Sequence, residues 1–89
     1  MVWTIKFKPK AAKQFKKLDK QTQIIIRDFL RKKLQNQKDP KIFGKALTGD
    51  LKSFWRYRIG DYRLICDIQD HIITIEVLKI GHRRDVYKQ

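Results

Sequence analysis

The chain has 89 residues, of which 22 are Lys or Arg and 9 are Asp or Glu, giving a net charge of +13. That length holds a single domain, residues 1–89, with one core and no second lobe, so any catalytic site must be shallow and built from surface side chains. The charge exceeds what solubility needs and points to a polyanionic partner, nucleic acid before an anionic membrane; no apolar run approaches the roughly 20 residues that span a bilayer.

The first 30 residues lack a signal-peptide core, so a cytoplasmic chain is expected. Residues 1–40 carry 12 Lys and Arg against 3 acids (net +9), mostly lysine; residues 41–89 carry 10 against 6 (net +4) but hold five of the seven arginines. Lysine is a hydrated point charge and arginine a planar fork, so the first half reads as a docking surface, or simply a solvated face, and the second as a site.

In chain order, residues 2–8 alternate with Trp3, Ile5 and Phe7 on one face, the pattern of a half-buried strand. Pro9 suits the first turn of a helix, and Ala11, Ala12, Phe15 and Leu18 then recur at helical spacing among lysines. Asp19 is placed to cap a second helix, in which Ile25, Ile26, Phe29, Leu30 and Leu34 form the apolar stripe. Residues 36–50 carry turn chemistry and read as a connecting loop with room for a turn of helix. Three strand-like segments follow, 51–59, 62–69 and 72–80, joined by the tight turns Gly60-Asp61 and Asp70-His71 as a β-meander. The tail leaves the last strand at Gly81. The expected fold is α+β, in the order βααβββ, with a two-helix hairpin on one face of a twisted, mainly antiparallel four-stranded sheet and the other face open.

The chemistry concentrates in the meander. A strand sends successive side chains to opposite faces, so Trp55, Tyr57 and Ile59 point into the core while Arg56 and Arg58 share the other face, and Arg63 joins them from the next strand. The tail can bring His82, Arg83 and Tyr87 beside them. Arginine forks fit phosphate oxygens. Arginine is always protonated, however, so protons would move through His82, with an ordinary pKa of about 6.5, or Tyr87, about 10. Each residue also has an ordinary reading: Arg56 and Arg58 as solvent-face residues, Arg63 as a partner of Asp61 or Asp67, His82 as a turn residue, and Tyr87 as a ring packed on the sheet. His71 reads as structural. Cys66, the lone cysteine, sits in an apolar strand pattern and reads as a buried inert thiol. No zinc spacing, phosphate-cradling glycine loop or carboxylate pair suggests a metal or other cofactor.

The run Trp55-Arg56-Tyr57-Arg58-Ile59-Gly60-Asp61-Tyr62-Arg63-Leu64, together with the ending Ile80-Gly81-His82-Arg83-Arg84-Asp85-Val86-Tyr87, resembles the RelE-type toxins of the RelE/ParE toxin-antitoxin superfamily. The resemblance extends over nearly the whole chain, including Phe15-Lys16-Lys17-Leu18 and residues 47–50. It implies a βααβββ domain, a cognate antitoxin as partner, which complementarity to this basic surface makes acidic, and metal-independent cleavage of mRNA in the ribosomal A site, with the RNA 2′-hydroxyl as nucleophile and a 2′,3′-cyclic phosphate as product. By position, Arg56 and Arg58 stand where members commonly have lysines, Arg63 matches the arginine after the third-strand tyrosine, Arg83 an arginine of the tail, and Tyr87 the near-terminal tyrosine. Arginine in place of lysine puts more of the proton work on His82 or Tyr87. The tail ends at Gln89, short of a mobile terminal helix, so control by displacing such a helix is not expected. Two other functions fit the residues, a ParE-like inhibitor of DNA gyrase and a non-catalytic RNA-binding module.

Overall fold

A computed structural model describes residues 2–47 and 54–86. Strand β1 (Thr4–Phe7) leads through Pro9, at the first position of the helix, into α1 (Pro9–Lys16). Helix α2 (Lys20–Phe29) starts where the Asp19 carboxylate accepts the Thr22 N–H at 3.2 Å, satisfying a donor that the first turn leaves without an intrahelical partner. A wider π-helical turn, Leu30–Gln35, continues it. Gln23 ties the helix pair together, its Nε2 donating to the Phe15 and Leu18 carbonyls at 3.0 and 3.1 Å. The buried stripe of α2 and its extension is Ile26, Leu30 and Leu34, at i, i+4 and i+8; Ile25, expected within it, is turned outward and 49% exposed.

Among the described residues the sheet has five strands rather than four, in the order β1-β5-β4-β3-β2. The extra strand is β2 (Lys45–Ala46), two residues from the segment read as a loop, paired antiparallel with β3 (Phe54–Ile59). It follows a short 3-10 turn, Pro40–Phe43. Strand β4 (Tyr62–Gln69) occupies the expected residues, while β5 (Thr74–His82) begins two residues late. The delay has a local cause: Asp70–Ile72 forms a 3-10 turn and Ile73 takes a left-handed conformation (φ 49°), which no strand accommodates. Strand β5 does not stop at Gly81, which pairs with Arg63. The outer strand β1 joins β5 in parallel, and the remaining pairs are antiparallel.

The helices cover the face that carries Tyr57, Leu64, Cys66, Ile68, Ile75, Val77 and Ile80, all buried. Trp3 closes one end of this core, its indole Nε1 donating to the Gln37 carbonyl at 3.0 Å. Tyr57 is fully buried and its hydroxyl donates to the Pro40 carbonyl at 2.8 Å, pinning the 3-10 turn beside β3. A bulge shifts the register between Ile65 and Cys66, leaving Leu78 as the extra residue of β5. The Ile80 N–H beyond it goes to Gln14 Oε1 of α1 at 2.7 Å.

Candidate nucleic-acid interface

Residues directly opposite one another in a ladder share a face, so the register lays out the surface away from the helices. One row runs Lys45, Arg56, Ile65, Lys79, and the next runs Arg58, Arg63, Gly81. A third row, nearer the other end of the face, runs Phe54, Asp67, Glu76, Lys6. The open face is therefore polarised. The Asp67 and Glu76 row holds carboxylates, with Asp67 accepting from Gln69 and Glu76 3.8 Å from Lys8 Nζ, whereas the two rows nearer the β3–β4 turn hold cations and no carboxylate.

That turn is Gly60-Asp61, with Gly60 at φ 56°, the left-handed conformation a two-residue hairpin connection needs at its first position. It brings Arg58 opposite Arg63, but the two side chains behave differently. Arg58 is exposed, whereas Arg63 is only 6% exposed and turns its Nη1 back to donate to the Gly60 and Tyr62 carbonyls, both at 2.8 Å. Like charges set directly opposite repel, and the two carbonyls draw one guanidinium away. The sequence placed Arg63 with Arg56 and Arg58 around a phosphate. The structure keeps it on their face but buries it against the turn's backbone, with no bond to Asp61 or Asp67.

The partner of Asp61 is instead Arg83. The Arg83 N–H donates to the Asp61 carbonyl at 2.7 Å and its Nε lies 3.8 Å from the Asp61 carboxylate, with both side chains more than half exposed. Arg83 thus stands at the turn, beside the arginine rows. His82 does not join them. It pairs with Tyr62 on the helix-side face, where the two rings meet edge to face at 5.8 Å, and its Nδ1 accepts the Arg84 N–H at 3.2 Å. The alternation that carries Arg63 to one face carries Tyr62 and His82 to the other, so the expected meeting of His82 with the arginines does not occur.

The tail then turns back. The Asp85 and Val86 N–H groups donate to the His82 carbonyl, and buried Val86 sits over Gly81, where a Cβ would come within 3.4–3.7 Å of it. Since Gly81 belongs to the arginine face, the chain returns to that face just before Tyr87. Tyr87 itself lies outside the described residues.

Two cations escaped the sequence reading. Lys45 lies in a two-residue strand too short to show alternation, and Lys79, next to buried Ile80, is a lone lysine on the open face of a strand with no arginine. The perturbed groups do not mark this surface. Burial pushes the Tyr57 phenol and the Cys66 thiol well above their ordinary values, but both sit in the core, and Asp19, lowered by its bonds from Thr22, caps α2. What the open face offers is positive charge at fixed spacing: it can seat a phosphodiester and neutralise charge building on its oxygens.

A second concavity lies on the helix side. Ile5, Phe7, Ala12, Phe15 and Leu30 floor an apolar groove between β1 and the helix pair, rimmed by Lys16, Arg27 and Arg31.

Over 89 residues the chain is 29% identical to Toxin RelG of Mycobacterium tuberculosis, covering 100% of each. Among solved structures, the toxin-antitoxin complex RelBE2 from Mycobacterium tuberculosis matches at a TM-score of 0.83 and 28% identity, covering 93% of this chain and 100% of that one. The isolated Escherichia coli RelE toxin shares the fold at a TM-score of 0.73 and 18% identity, covering 90% of this chain and 83% of its own. Residues 5–87 match the family described as "ParE toxin of type II toxin-antitoxin system, parDE", and the chain belongs to it, as a type II toxin of the RelE/ParE superfamily.

Proposed function

We propose that this toxin is a ribosome-dependent endoribonuclease that cleaves mRNA in the A site. The observation that carries the reading is the pair of adjacent rows of cations, Lys45, Arg56 and Lys79 beside Arg58, on a sheet face that the helices leave open. Arg56, Arg58 and Arg83 hold the scissile phosphate and offset the charge that builds as the 2′-hydroxyl attacks. Arg63 shapes the hairpin that presents them. Proton transfer falls to Tyr87, since His82 is turned to the other face. A phenol needs cationic neighbours to favour its ionised form.

The partner that silences the toxin is a cognate antitoxin with acidic and apolar side chains. The apolar groove beside β1, with its rim of Lys16, Arg27 and Arg31, fits a segment of that composition, which would fold as it binds.

The test is incubation of purified ribosomes, carrying a defined message in the A site, with the folded toxin. Cleavage ending in a 2′,3′-cyclic phosphate is expected, and loss of it in Tyr87→Phe. Intact message would overturn the reading. The match to the ParE toxin family keeps gyrase inhibition as the second reading, and a supercoiling assay with gyrase discriminates the two.

A further inference from the structure

The 3-10 turn before β2 and the outer edge of β3 enclose a shallow groove lined by Ile42, Phe43, Gly44, Lys45, Arg56 and Arg58. Strand β2 pairs only with Trp55 and Arg56, so the groove lies where β3 runs on past β2 to Arg58. Two of its side chains are apolar yet face solvent, Ile42 at 66% and Phe43 at 40% exposure. An exposed aromatic ring beside arginines is the composition of a single-strand nucleic-acid site, in which cations follow the backbone and a base stacks on the ring.

We propose that this groove takes one base of a single-stranded RNA, stacked on Phe43 and flanked by Ile42, while Arg56 and Arg58 hold the adjoining phosphate. The proposal rests on the RNA-binding part of the reading above and adds to it the element that tells a base from a bare phosphate. The Lys33 ammonium stands 5.3 Å over the Phe43 ring and occupies one of its faces, so the base takes the opposite face. The Gly44 N–H is already committed to the Lys41 carbonyl at 3.0 Å. Stacking area rather than backbone hydrogen bonding to the base edge then sets the preference, which favours a purine. Charge complementarity selects the occupant: with Lys33, Lys45, Arg56 and Arg58 around two apolar side chains, an anionic polymer with flat apolar units fits both parts of the groove.

The experiment uses a short single-stranded RNA with 2-aminopurine in place of one adenine, and a matched RNA that is abasic at that position. With the wild-type toxin, bound probe fluorescence is quenched, and the abasic RNA binds about tenfold more weakly. Phe43→Ala abolishes the quenching and removes that advantage, Phe43→Trp retains both, and Phe43→Leu, which keeps an apolar side chain but no ring, behaves as Phe43→Ala. Thermal unfolding of each variant establishes that the fold persists. Quenching that survives Phe43→Ala, equal binding of base-containing and abasic RNA by the wild type, or no RNA binding at all would overturn the proposal and leave Ile42 and Phe43 as a surface for a protein partner. Because the assay contains no ribosome, Phe43-dependent quenching alongside uncut ribosomal message would remove the nuclease reading and keep this one.

Discussion

Arg58 and Arg63 face each other across the β3–β4 hairpin, yet only Arg58 meets solvent; Arg63 is 6% exposed and donates to the carbonyls on either side of Asp61. The turn therefore needs one arginine to hold its shape and presents the other. Arg63→Ala is expected to lower the free energy of unfolding by about 2 kcal/mol, the usual worth of buried hydrogen bonds to a charged donor. Arg58→Ala should stay within about 0.5 kcal/mol of wild type in stability while weakening RNA binding and flattening its salt dependence by about one unit of slope. Urea unfolding and salt-titrated binding measure the two. An Arg63→Ala protein of unchanged stability that no longer binds RNA would return Arg63 to the phosphate site.

Gly44 and Gly60 should tolerate alanine differently. A Cβ on Gly44 would lie 2.8 Å from both the Arg56 carbonyl oxygen and the buried Tyr57 ring, neither of which can yield. Overpacking of this kind costs about 1–3 kcal/mol, and Gly44→Ala is also expected to weaken the Tyr57 bond to Pro40. At Gly60 nothing lies within 4 Å, so Gly60→Ala should cost only the left-handed backbone penalty, about 1 kcal/mol. Thermal unfolding of both variants checks the order; a Gly60→Ala protein less stable than Gly44→Ala would contradict it.

The Asp19 cap makes part of the stability depend on pH. Side-chain and backbone hydrogen bonds from Thr22 hold its carboxyl below its ordinary value of 3.8 in the folded chain. A lowered folded-state pKa means that the contribution is fully present above the unfolded value and is lost as pH falls through the folded one. Asp19→Ala should therefore melt at lower temperature than wild type near neutrality, and the gap should narrow on acidification below about pH 4. Paired melts across that range test it, and a gap unchanged by acid would mean that the carboxylate is not the cap.

Cys66 should be chemically silent. It is fully buried on the helix-side face of β4, and burial raises its thiol above the ordinary range, so thiolate is scarce even in mild alkali. A thiol-reactive dye at pH 8 is expected to label the protein only as fast as it unfolds, with prompt and stoichiometric labelling in urea. Rapid labelling of native protein would show that the core opens locally.

Local patterning was enough to place most of the elements. Pro9 and Asp19 start the helices because a missing N–H and a capping oxygen act within one turn. Residues 62–69 form a strand where period-two alternation said they would, and the same alternation set Arg56 and Arg58 on the open face. The family resemblance carried by the meander and the tail also survives comparison with known toxins.

Other features depended on contacts distant in sequence. Lys45–Ala46 became a strand because the edge of β3 was there to pair with, which nothing in two residues can announce. Alternation sets Arg63 on the face of Arg56 and Arg58, and the tail is what is expected to bring His82 beside them. The ladder puts the Arg63 and His82 side chains on opposite faces, and the backbone carbonyls of the turn draw Arg63 inward. Composition and periodicity thus determined charge, element type and face, since these arise within a few residues. Register, the bulge and the burial of one cation among several were decided only when strands from separate parts of the chain met.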